Sequence, residues 1–281
     1  MTVSAALAPI LADAPARPEP SAAYSVEDVL WVRPWTDRLF SFALTRPASF
    51  RFRSGEFVMV GLPAAPGEKK PVLRAYSIAS PSFAEELEFF SIAVPDGPLT
   101  SRLVHIQPGD PVLLGRKPTG TLVLDALKPG RRLFLIGTGT GLAPWLSVAR
   151  DPDAYERFER VIVTHTVRNA ADLAYRALFE REIFDDELIG EQARAQLSYY
   201  PTVTREPFKH AGRITDRILS GDCFRDLGLD CTAFDPAQDR IMLCGSMDMI
   251  KQTAALLEAQ GLTEGSNAEP GDFVLERAFV G

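Results

Sequence analysis

The chain has 281 residues, 46% of them hydrophobic, and a formal net charge of −7. This length allows two domains of ordinary size, each with its own core. No apolar run approaches the about 18 residues needed to cross a bilayer, so we expect no membrane-spanning helix. The three cysteines, Cys223, Cys231 and Cys244, lack Cys-x-x-Cys spacing and cannot by themselves supply the four thiolates of an iron–sulfur cluster.

The first 20 residues are rich in Ala and Pro and lack both periodicity and an early basic residue. We expect a flexible N-terminal segment over 1–20 and no signal peptide. The histidines, His105, His165 and His210, are scattered and show no metal-ligand pairing. Structural or surface roles are expected for them, with a histidine acid or base as the alternative, and we expect no metal.

From Tyr24 to about Asp125 the chain consists of short alternating or apolar segments separated by turns. Short strands at this spacing favour an antiparallel β-barrel. The expected strands include 39–44, 57–60, 72–79, 87–92 and 112–114.

One strand of this half carries Arg74-Ala75-Tyr76-Ser77, which combines a cation, an aromatic ring and a hydroxyl. With the period of a strand, Arg74 and Tyr76 project from one face, while Ala75 and Ser77 project from the other or supply backbone groups. A guanidinium for a pyrophosphate beside a ring for stacking on an isoalloxazine predicts a flavin site. An edge strand with a snorkelling Arg and a half-buried Tyr has the same pattern.

Further along, Gly97-Pro98-Leu99-Thr100-Ser101 is typical of a helix N-terminus. Pro98 fits an early helical position, and backbone N–H groups with the Thr100 and Ser101 hydroxyls can hold a diphosphate there. An ordinary capped helix is the alternative. The order of the two motifs resembles the ferredoxin–NADP(+) reductase family, whose flavin domain carries an Arg-x-Tyr-Ser strand and then a Gly-x-Leu-Thr-type phosphate turn.

Lys128-Pro129-Gly130 marks the expected boundary between an FAD-binding domain at 21–128 and an NADP(H)-binding domain at 129–281. In the second half, near-continuous apolar strands alternate with amphipathic helices, which predicts a doubly wound parallel sheet. The expected strands are 133–136, 161–164, 197–200, 241–244 and 273–275.

The first of these strands runs into a glycine-rich loop, Gly137-Thr138-Gly139-Thr140-Gly141-Leu142-Ala143-Pro144. Alternate glycines between a strand and a helix let backbone N–H groups approach a pyrophosphate. The spacing departs from the Gly-x-Gly-x-x-Gly fingerprint, and a structural glycine turn is the alternative. The loop is similar to the Gly-Thr-Gly-x-Ala-Pro-type loop of the same reductase family.

Arginines follow the next two strands at the edge of the sheet where such folds bind nucleotides. Arg168 stands where a carboxylate would favour NAD, and Thr204, Arg205 and Arg213 follow the third strand. Single arginines are usually surface charges, but at strand ends they favour a 2′-phosphate and hence NADP. In the resembled family, Arg or Ser residues at matching positions hold this phosphate.

The resemblance also assigns the segment Cys244-Gly245-Ser246-Met247, which matches a Cys-Gly-x-x motif after the fourth strand. It implies that Cys244 faces the site of hydride transfer and that Gly245 and Met247 lie beside the nicotinamide. Positioning is the expected role of Cys244, because hydride transfer requires no nucleophile. A thiol that only packs in the core is the alternative.

Three residues at the end of the chain are assigned through the same resemblance. Glu276 matches an acidic position near the active site, although an exposed strand-end carboxylate has the same pattern. Ala278 takes the place of an aromatic residue that lies over the flavin in many members. Phe279 is then left to pack on the FAD adenine or on the protein.

The resemblance covers roughly 24–281 and implies a bacterial-type ferredoxin (flavodoxin)–NADP(+) reductase, in which Ser77 hydrogen-bonds near flavin N5. FAD would exchange a hydride with NADP(H) and single electrons with ferredoxin or flavodoxin. Alternatives are an NAD(P)H:flavin reductase, an oxygenase reductase component and a flavin-binding sensor without turnover. We expect a cytoplasmic monomer without a nucleic-acid partner or stable membrane insertion.

The two halves differ in charge. Through Leu127 the chain carries 12 basic and 13 acidic residues, against 18 and 24 in the remainder. Basic residues of the first half are expected either to steer an acidic electron carrier towards the flavin edge or to form a solvated face. They are Arg51, Arg53, Lys69, Lys70, Arg102, Arg116 and Lys117.

Overall fold

The structure is a computed structural model that describes residues 17–64, 68 and 70–277. The assignments of Ala278 and Phe279, and most of the expected flexible segment at 1–20, lie outside the described residues.

The first half folds into six strands: β1 (Tyr24–Pro34), β2 (Leu39–Thr45), β3 (Phe57–Leu62), β4 (Val72–Ser77), β5 (Glu86–Ile92) and β6 (Pro111–Gly115). All pairings are antiparallel, in the order β4-β3-β6-β1-β2-β5. A bridge between Ile78 and Phe89 joins the two edges, so the sheet closes on itself around an aromatic and aliphatic core. The predicted antiparallel barrel is confirmed.

The helix predicted near Pro98 is one turn long, α1 (Thr100–Leu103). Placing Pro98 inside this helix was wrong, because Leu99 is the N-cap and Pro98 precedes it. Leu99 and Leu103 are both buried in the barrel core, and they fix where the chain starts to wind.

The second half contains β7 (Arg132–Thr138), β8 (Arg160–Val167), β9 (Leu197–Val203), β10 (Asp239–Gly245) and β11 (Phe273–Arg277). These strands form a parallel sheet in the order β11-β10-β7-β8-β9. The chain builds outwards from β7 to β9 and then crosses to β10. The carboxyl ends of β7 and β10 are therefore the switch point at which doubly wound sheets bind ligands.

Helices cover both faces of this sheet: α2 (Ala143–Val148), α3 (Pro152–Arg157), α4 (Arg176–Glu180), α5 (Gly190–Gln196), α6 (Ile214–Leu219), α7 (Asp222–Asp226) and α8 (Met247–Ala259). Leu133 and Leu135 pack towards α2 to α5, whereas Phe134 and Ile136 pack towards α6 to α8. Burial on both faces explains the near-continuous apolar strands and confirms the predicted doubly wound sheet.

The two sheets share one apolar cluster. Leu39 and Phe90 from the barrel belong to the same buried cluster as Trp145 and Leu146 of α2. The barrel and the parallel sheet are thus packed directly against each other. None of the helices within the described ranges is long and apolar enough to cross a membrane.

Candidate active site

A cleft of about 1060 Å³ opens at the carboxyl edge of the parallel sheet, between this sheet and the barrel. Its lining brings together eight residues that the sequence assigned to NADP and that come from several separate segments of the chain. They are Thr138, Gly139, Thr140, Arg168, Thr204, Arg205, Arg213 and Gly245.

Four other residues assigned to NADP, Gly137, Gly141, Cys244 and Met247, do not line this cleft. Two of them, Gly141 and Gly137, allow close packing next to the cleft. A Cβ on Gly141 would lie 2.4 Å from the Cys244 carbonyl oxygen, and one on Gly137 would lie 2.6 Å from Trp145 Nε1. These glycines therefore let the loop after β7 pack closely against β10 and α2. Gly139 differs, because nothing lies within 4 Å of its Cβ position and its φ is +55°.

Three guanidinium groups, of Arg168, Arg205 and Arg213, are exposed at the wall of the cleft. Within residues 17–64, 68 and 70–277, none of them forms a side-chain hydrogen bond or an ion pair with a carboxylate. Arg217 on α6 is by contrast paired with Asp226, at 2.6 Å. Unpaired cations beside a glycine-rich loop are suited to a phosphorylated dinucleotide.

His165 has a structural role, which is one of the roles expected for the histidines, but the sequence did not indicate that its partner is the glycine-rich loop. It is completely buried, with Nε2 3.2 Å from the Gly139 carbonyl oxygen and Nδ1 3.2 Å from the Tyr199 hydroxyl. Burial lowers the pKa of His165 to about 4, so the ring is neutral at pH 7. A neutral ring that donates from Nε2 to Gly139 and accepts from Tyr199 satisfies both contacts.

The opposite wall of the cleft comes from the barrel. Thr36, Arg38, Leu39 and Ile92 line it at the start of β2 and the end of β5. Sequence reasoning missed these residues because they are remote from every nucleotide motif. It also missed Asp248 and Gln252, although their spacing of four residues on α8 was a signal that both point the same way.

The predicted flavin strand is β4, and its register with β3 places Arg74 and Tyr76 on one face, opposite Val60 and Val58. The Tyr76 ring contacts Phe42 and Phe89 edge-on, and its hydroxyl lies 3.2 Å from Ser91 Oγ. The ring is therefore fixed, as a stacking platform must be. Within the described ranges, the Arg74 guanidinium donates only to the carbonyl of Leu73, at 3.0 Å.

The phosphate turn follows β5 along the chain, and β5 carries Ser91, whose Oγ contacts the Tyr76 hydroxyl. A Cβ on Gly97 would lie 2.4 Å from Thr100 Oγ1, and this hydroxyl accepts from the Val94 N–H at 3.2 Å. The Thr100 hydroxyl thus shapes the turn instead of facing outwards. The backbone N–H groups of Leu99 and Thr100 and the Ser101 hydroxyl have no partner among the described residues.

Cys244 and Glu276 are brought together by the register of β10 and β11, in which they lie opposite each other. Burial raises the pKa of the Cys244 thiol, which is therefore neutral at pH 7. Burial also raises the pKa of Glu276 to about 7, although Thr121 N–H donates to its Oε1 at 2.6 Å. Neither group is a solvated surface side chain.

Ser77 lies near the same point. The next residue, Ile78, donates its N–H to the Glu56 carbonyl at 3.0 Å. Gly120 lies between Glu56 and Glu276: its Cβ position is 3.4 Å from Glu56 Cα and 2.4 Å from Glu276 Oε1. The end of β4 and the end of β11 therefore meet around Gly120.

Part of the predicted basic set does gather in space. Arg51, Arg53, Arg116 and Lys117 line a second, open pocket of about 440 Å³ that also contains Glu56. Arg102 lies elsewhere, with its guanidinium donating to the Pro63 carbonyl at 2.7 Å, and Lys69 lies outside the described residues. The basic pocket adjoins the meeting point of β4 and β11 through Glu56.

Comparison with known proteins gives one match within the second half of the chain and matches to whole reductases that cover both halves. Residues 135–255 match the family model of the oxidoreductase NAD-binding domain. The chain is 57% identical to ferredoxin–NADP reductase A of Sorangium cellulosum, over 92% of this chain and 91% of that protein. It is 53% identical to the flavodoxin/ferredoxin–NADP reductase of Rhodobacter capsulatus, over 95% and 96% of the two chains.

Among solved structures, the fold is similar to that of a ferredoxin–NADP(+) reductase from Neisseria gonorrhoeae with bound FAD and NADP. The TM-score is 0.81, with 29% identity over 92% of this chain and 100% of the other. Because the chain is more than half identical to these two reductases over more than nine-tenths of each sequence, and shares its fold with the Neisseria enzyme, it belongs to the ferredoxin (flavodoxin)–NADP(+) reductase family.

Proposed function

We propose that this protein exchanges electrons between NADP(H) and ferredoxin or flavodoxin through bound FAD. The observation that carries the proposal is the group of three arginines, Arg168, Arg205 and Arg213, which form no ion pair with any described residue. They lie in a cleft whose opposite wall is the barrel that carries the flavin motifs. FAD, when bound, supplies the conversion between the hydride of a nicotinamide and the single electrons of a protein carrier.

The residues of the cleft fit NADP(H). The space beside Gly139 and the backbone of the loop around Thr138 and Thr140 suit a pyrophosphate, while the arginines suit the 2′-phosphate. His165 holds the loop in this shape through Gly139. Gly245 and Met247, which follow Cys244, would border the nicotinamide.

The barrel fits FAD. Tyr76 offers a fixed ring. Arg74 and the N–H groups of Leu99 and Thr100, which have no partner among the described residues, offer donors for a diphosphate. Gly97 makes the turn possible, Pro98 and Ala75 complete the two segments, and Ser101 adds a hydroxyl. We propose the division at Lys128, with 21–128 holding FAD and 129–281 holding NADP(H).

The reacting rings would meet where β4, β10 and β11 end. Ser77 would hydrogen-bond the flavin there, the neutral Cys244 thiol would position the nicotinamide, and Glu276, whose pKa is about 7, is able to hold or release a proton near neutrality. The roles of Ala278 and Phe279 stay predictions, as do a monomeric state and a cytoplasmic location.

The carrier would be acidic and would dock on the basic pocket. Arg51, Arg116 and Lys117 border it, and Glu56 connects it to the end of β4 where Ser77 lies. Complementary charge brings such a partner to the flavin edge and makes its reaction rate depend on salt.

The test is an anaerobic titration of the yellow protein with NADPH and NADH, read by flavin absorbance, followed by cytochrome c reduction with and without added ferredoxin or flavodoxin. NADPH should bleach the flavin at far lower concentration than NADH, and cytochrome c reduction should require the carrier. Reduction that proceeds equally with free flavin as acceptor would replace this proposal with a flavin reductase. A flavin that NADPH fails to bleach would replace it with a sensor.

A further inference from the structure

The contact between the barrel and the nucleotide half contains a polar network of five side chains, three of them buried and two partly buried: Trp35, Ser41, Glu88, Arg150 and Tyr175. Trp35, Ser41 and Glu88 come from the barrel, whereas Arg150 and Tyr175 come from the nucleotide half. Ser41, Glu88 and Tyr175 are 0%, 8% and 6% exposed. Polar groups are buried in this way only where each has a partner.

The hydrogen bonds form one continuous series of donors and acceptors that crosses the boundary twice. Tyr175 Oη lies 2.7 Å from Glu88 Oε1 and 2.5 Å from Ser41 Oγ, and Trp35 Nε1 donates to Ser41 Oγ at 2.8 Å. The phenol has a single proton and the carboxylate can only accept, so Tyr175 donates to Glu88 and Ser41 donates to Tyr175. Trp35, Ser41, Tyr175 and Glu88 thus form one chain of donors, and such chains reinforce each other.

Arg150 completes the network from the second half. Its guanidinium donates to Glu88 Oε2 at 2.7 Å and to the Ala79 carbonyl at 2.7 Å, both in the barrel. Its Nε donates to Leu146 within its own half at 2.8 Å. Glu88 is therefore held by two groups that both belong to the nucleotide half.

Tyr175 is also the one non-glycine residue with positive φ in the described ranges, at φ 59° and ψ 11°. A bulky side chain in this region is strained, and this conformation persists where the surroundings fix it. Its ring packs on Trp35, with centroids 4.5 Å apart, and edge-on against Phe90 at 5.4 Å.

The network lies on the strands that form the barrel wall of the nucleotide cleft. Leu39 and Ile92 line the cleft and pair with each other, and Ser41 and Glu88 lie on the same faces of β2 and β5. Whatever holds Ser41 and Glu88 against the nucleotide half also holds that wall at a fixed distance from the arginines.

We propose that Tyr175, with Glu88 and Arg150, is a positioning residue that fixes the barrel relative to the nucleotide half, so that the nicotinamide meets the flavin in a reactive geometry. The inference rests on the proposed binding of NADP(H) in the cleft. The adenine and 2′-phosphate end of the cofactor would contact only the nucleotide half. The nicotinamide end has to meet the flavin, which the barrel would hold. A misplacement of 1 Å between two reacting groups can slow a reaction about a hundredfold.

The test compares Tyr175→Phe, which keeps the ring and removes the proton donor, with Tyr155→Phe. Tyr155 is a suitable control because it is 5% exposed and donates to the Ala149 carbonyl at 2.6 Å within one half. Two measurements are made on flavin-matched holoenzymes: calorimetric affinity for adenosine 2′,5′-bisphosphate, and the limiting rate of anaerobic flavin reduction at saturating NADPH.

Tyr175→Phe should lower the limiting rate by about tenfold, while its affinity for adenosine 2′,5′-bisphosphate stays within about twofold of the parent. Tyr155→Phe should leave both unchanged. An unchanged limiting rate in Tyr175→Phe, or an equal loss of rate in Tyr155→Phe, overturns the proposal. If Tyr175→Phe does not fold, Ser41→Ala, which removes the donor to Tyr175, must show the same split. A parent that binds no bisphosphate refutes the proposed NADP(H) site instead.

Discussion

Replacing Glu276 by Gln should change how the stability of the protein depends on pH. Burial raises the pKa of this carboxyl from 4.5 to about 7, which corresponds to about 3 kcal/mol between its two protonation states. Between these two values the folded protein binds a proton that the unfolded chain does not. The contribution of Glu276 to the free energy of unfolding of the parent should therefore fall as pH rises from 4.5 through 7 and then level off.

Gln cannot ionise, and its carbonyl oxygen can still accept from the Thr121 N–H. The difference in unfolding free energy, variant minus parent, should therefore increase by about 3 kcal/mol between pH 4.5 and pH 8. Taking this difference cancels the titration of every other group. The assay is urea denaturation of flavin-matched proteins at closely spaced pH values.

The control is Glu159→Gln. Glu159 is exposed, and a hydrogen bond from Arg131 lowers its pKa, so its contribution is lost only as pH falls below the ordinary carboxyl value. Its difference curve should be flat over the window in which the Glu276 curve rises. A Glu276 curve that is equally flat would show that this carboxyl ionises as in water, and would remove it from the buried meeting point of β4 and β11.

Arg205→Ala and Arg213→Ala should each weaken NADPH binding about tenfold or more and leave NADH binding nearly unchanged, since each removes a charge-assisted bond worth about 1.5–3 kcal/mol. Michaelis constants for both cofactors test this, and equal losses with NADPH and NADH would mean that the arginine has a structural role. Gly141→Ala should abolish tight NADPH binding but keep the flavin, because its methyl group would lie 2.4 Å from the Cys244 carbonyl oxygen. Calorimetry with NADP(+) and the flavin absorbance of the variant test this together, and an unchanged affinity for NADP(+) would contradict it. His165→Gln should make the free energy of unfolding less sensitive to acid, because the contribution of His165 to the parent's stability falls by about 3 kcal/mol as pH drops from 6.5 to about 4. Urea denaturation that shows parent and variant losing stability in parallel over this range would mean that His165 is not buried as a neutral ring.

The sequence by itself determined the architecture. Short alternating strands predicted the barrel, and apolar strands such as 133–136 predicted the parallel sheet. Both were predictable because the spacing of apolar residues depends directly on whether one or both faces of a strand are buried. Motifs that are contiguous in the chain, such as Arg74 to Ser77 and Gly137 to Gly141, were also readable, since neighbours in sequence must be neighbours in space.

Tertiary structure decided everything that depends on which distant strands meet. Cys244 and Glu276 lie opposite each other only because β10 pairs with β11, and Leu39 lines the cleft only because the barrel packs on α2. The low pKa of His165 and the donor chain through Tyr175 likewise arise from burial at contacts between remote segments. Such contacts leave no periodic signal, because each is made by single residues whose partners are fixed by the packing of whole elements and not by their own neighbours in the chain.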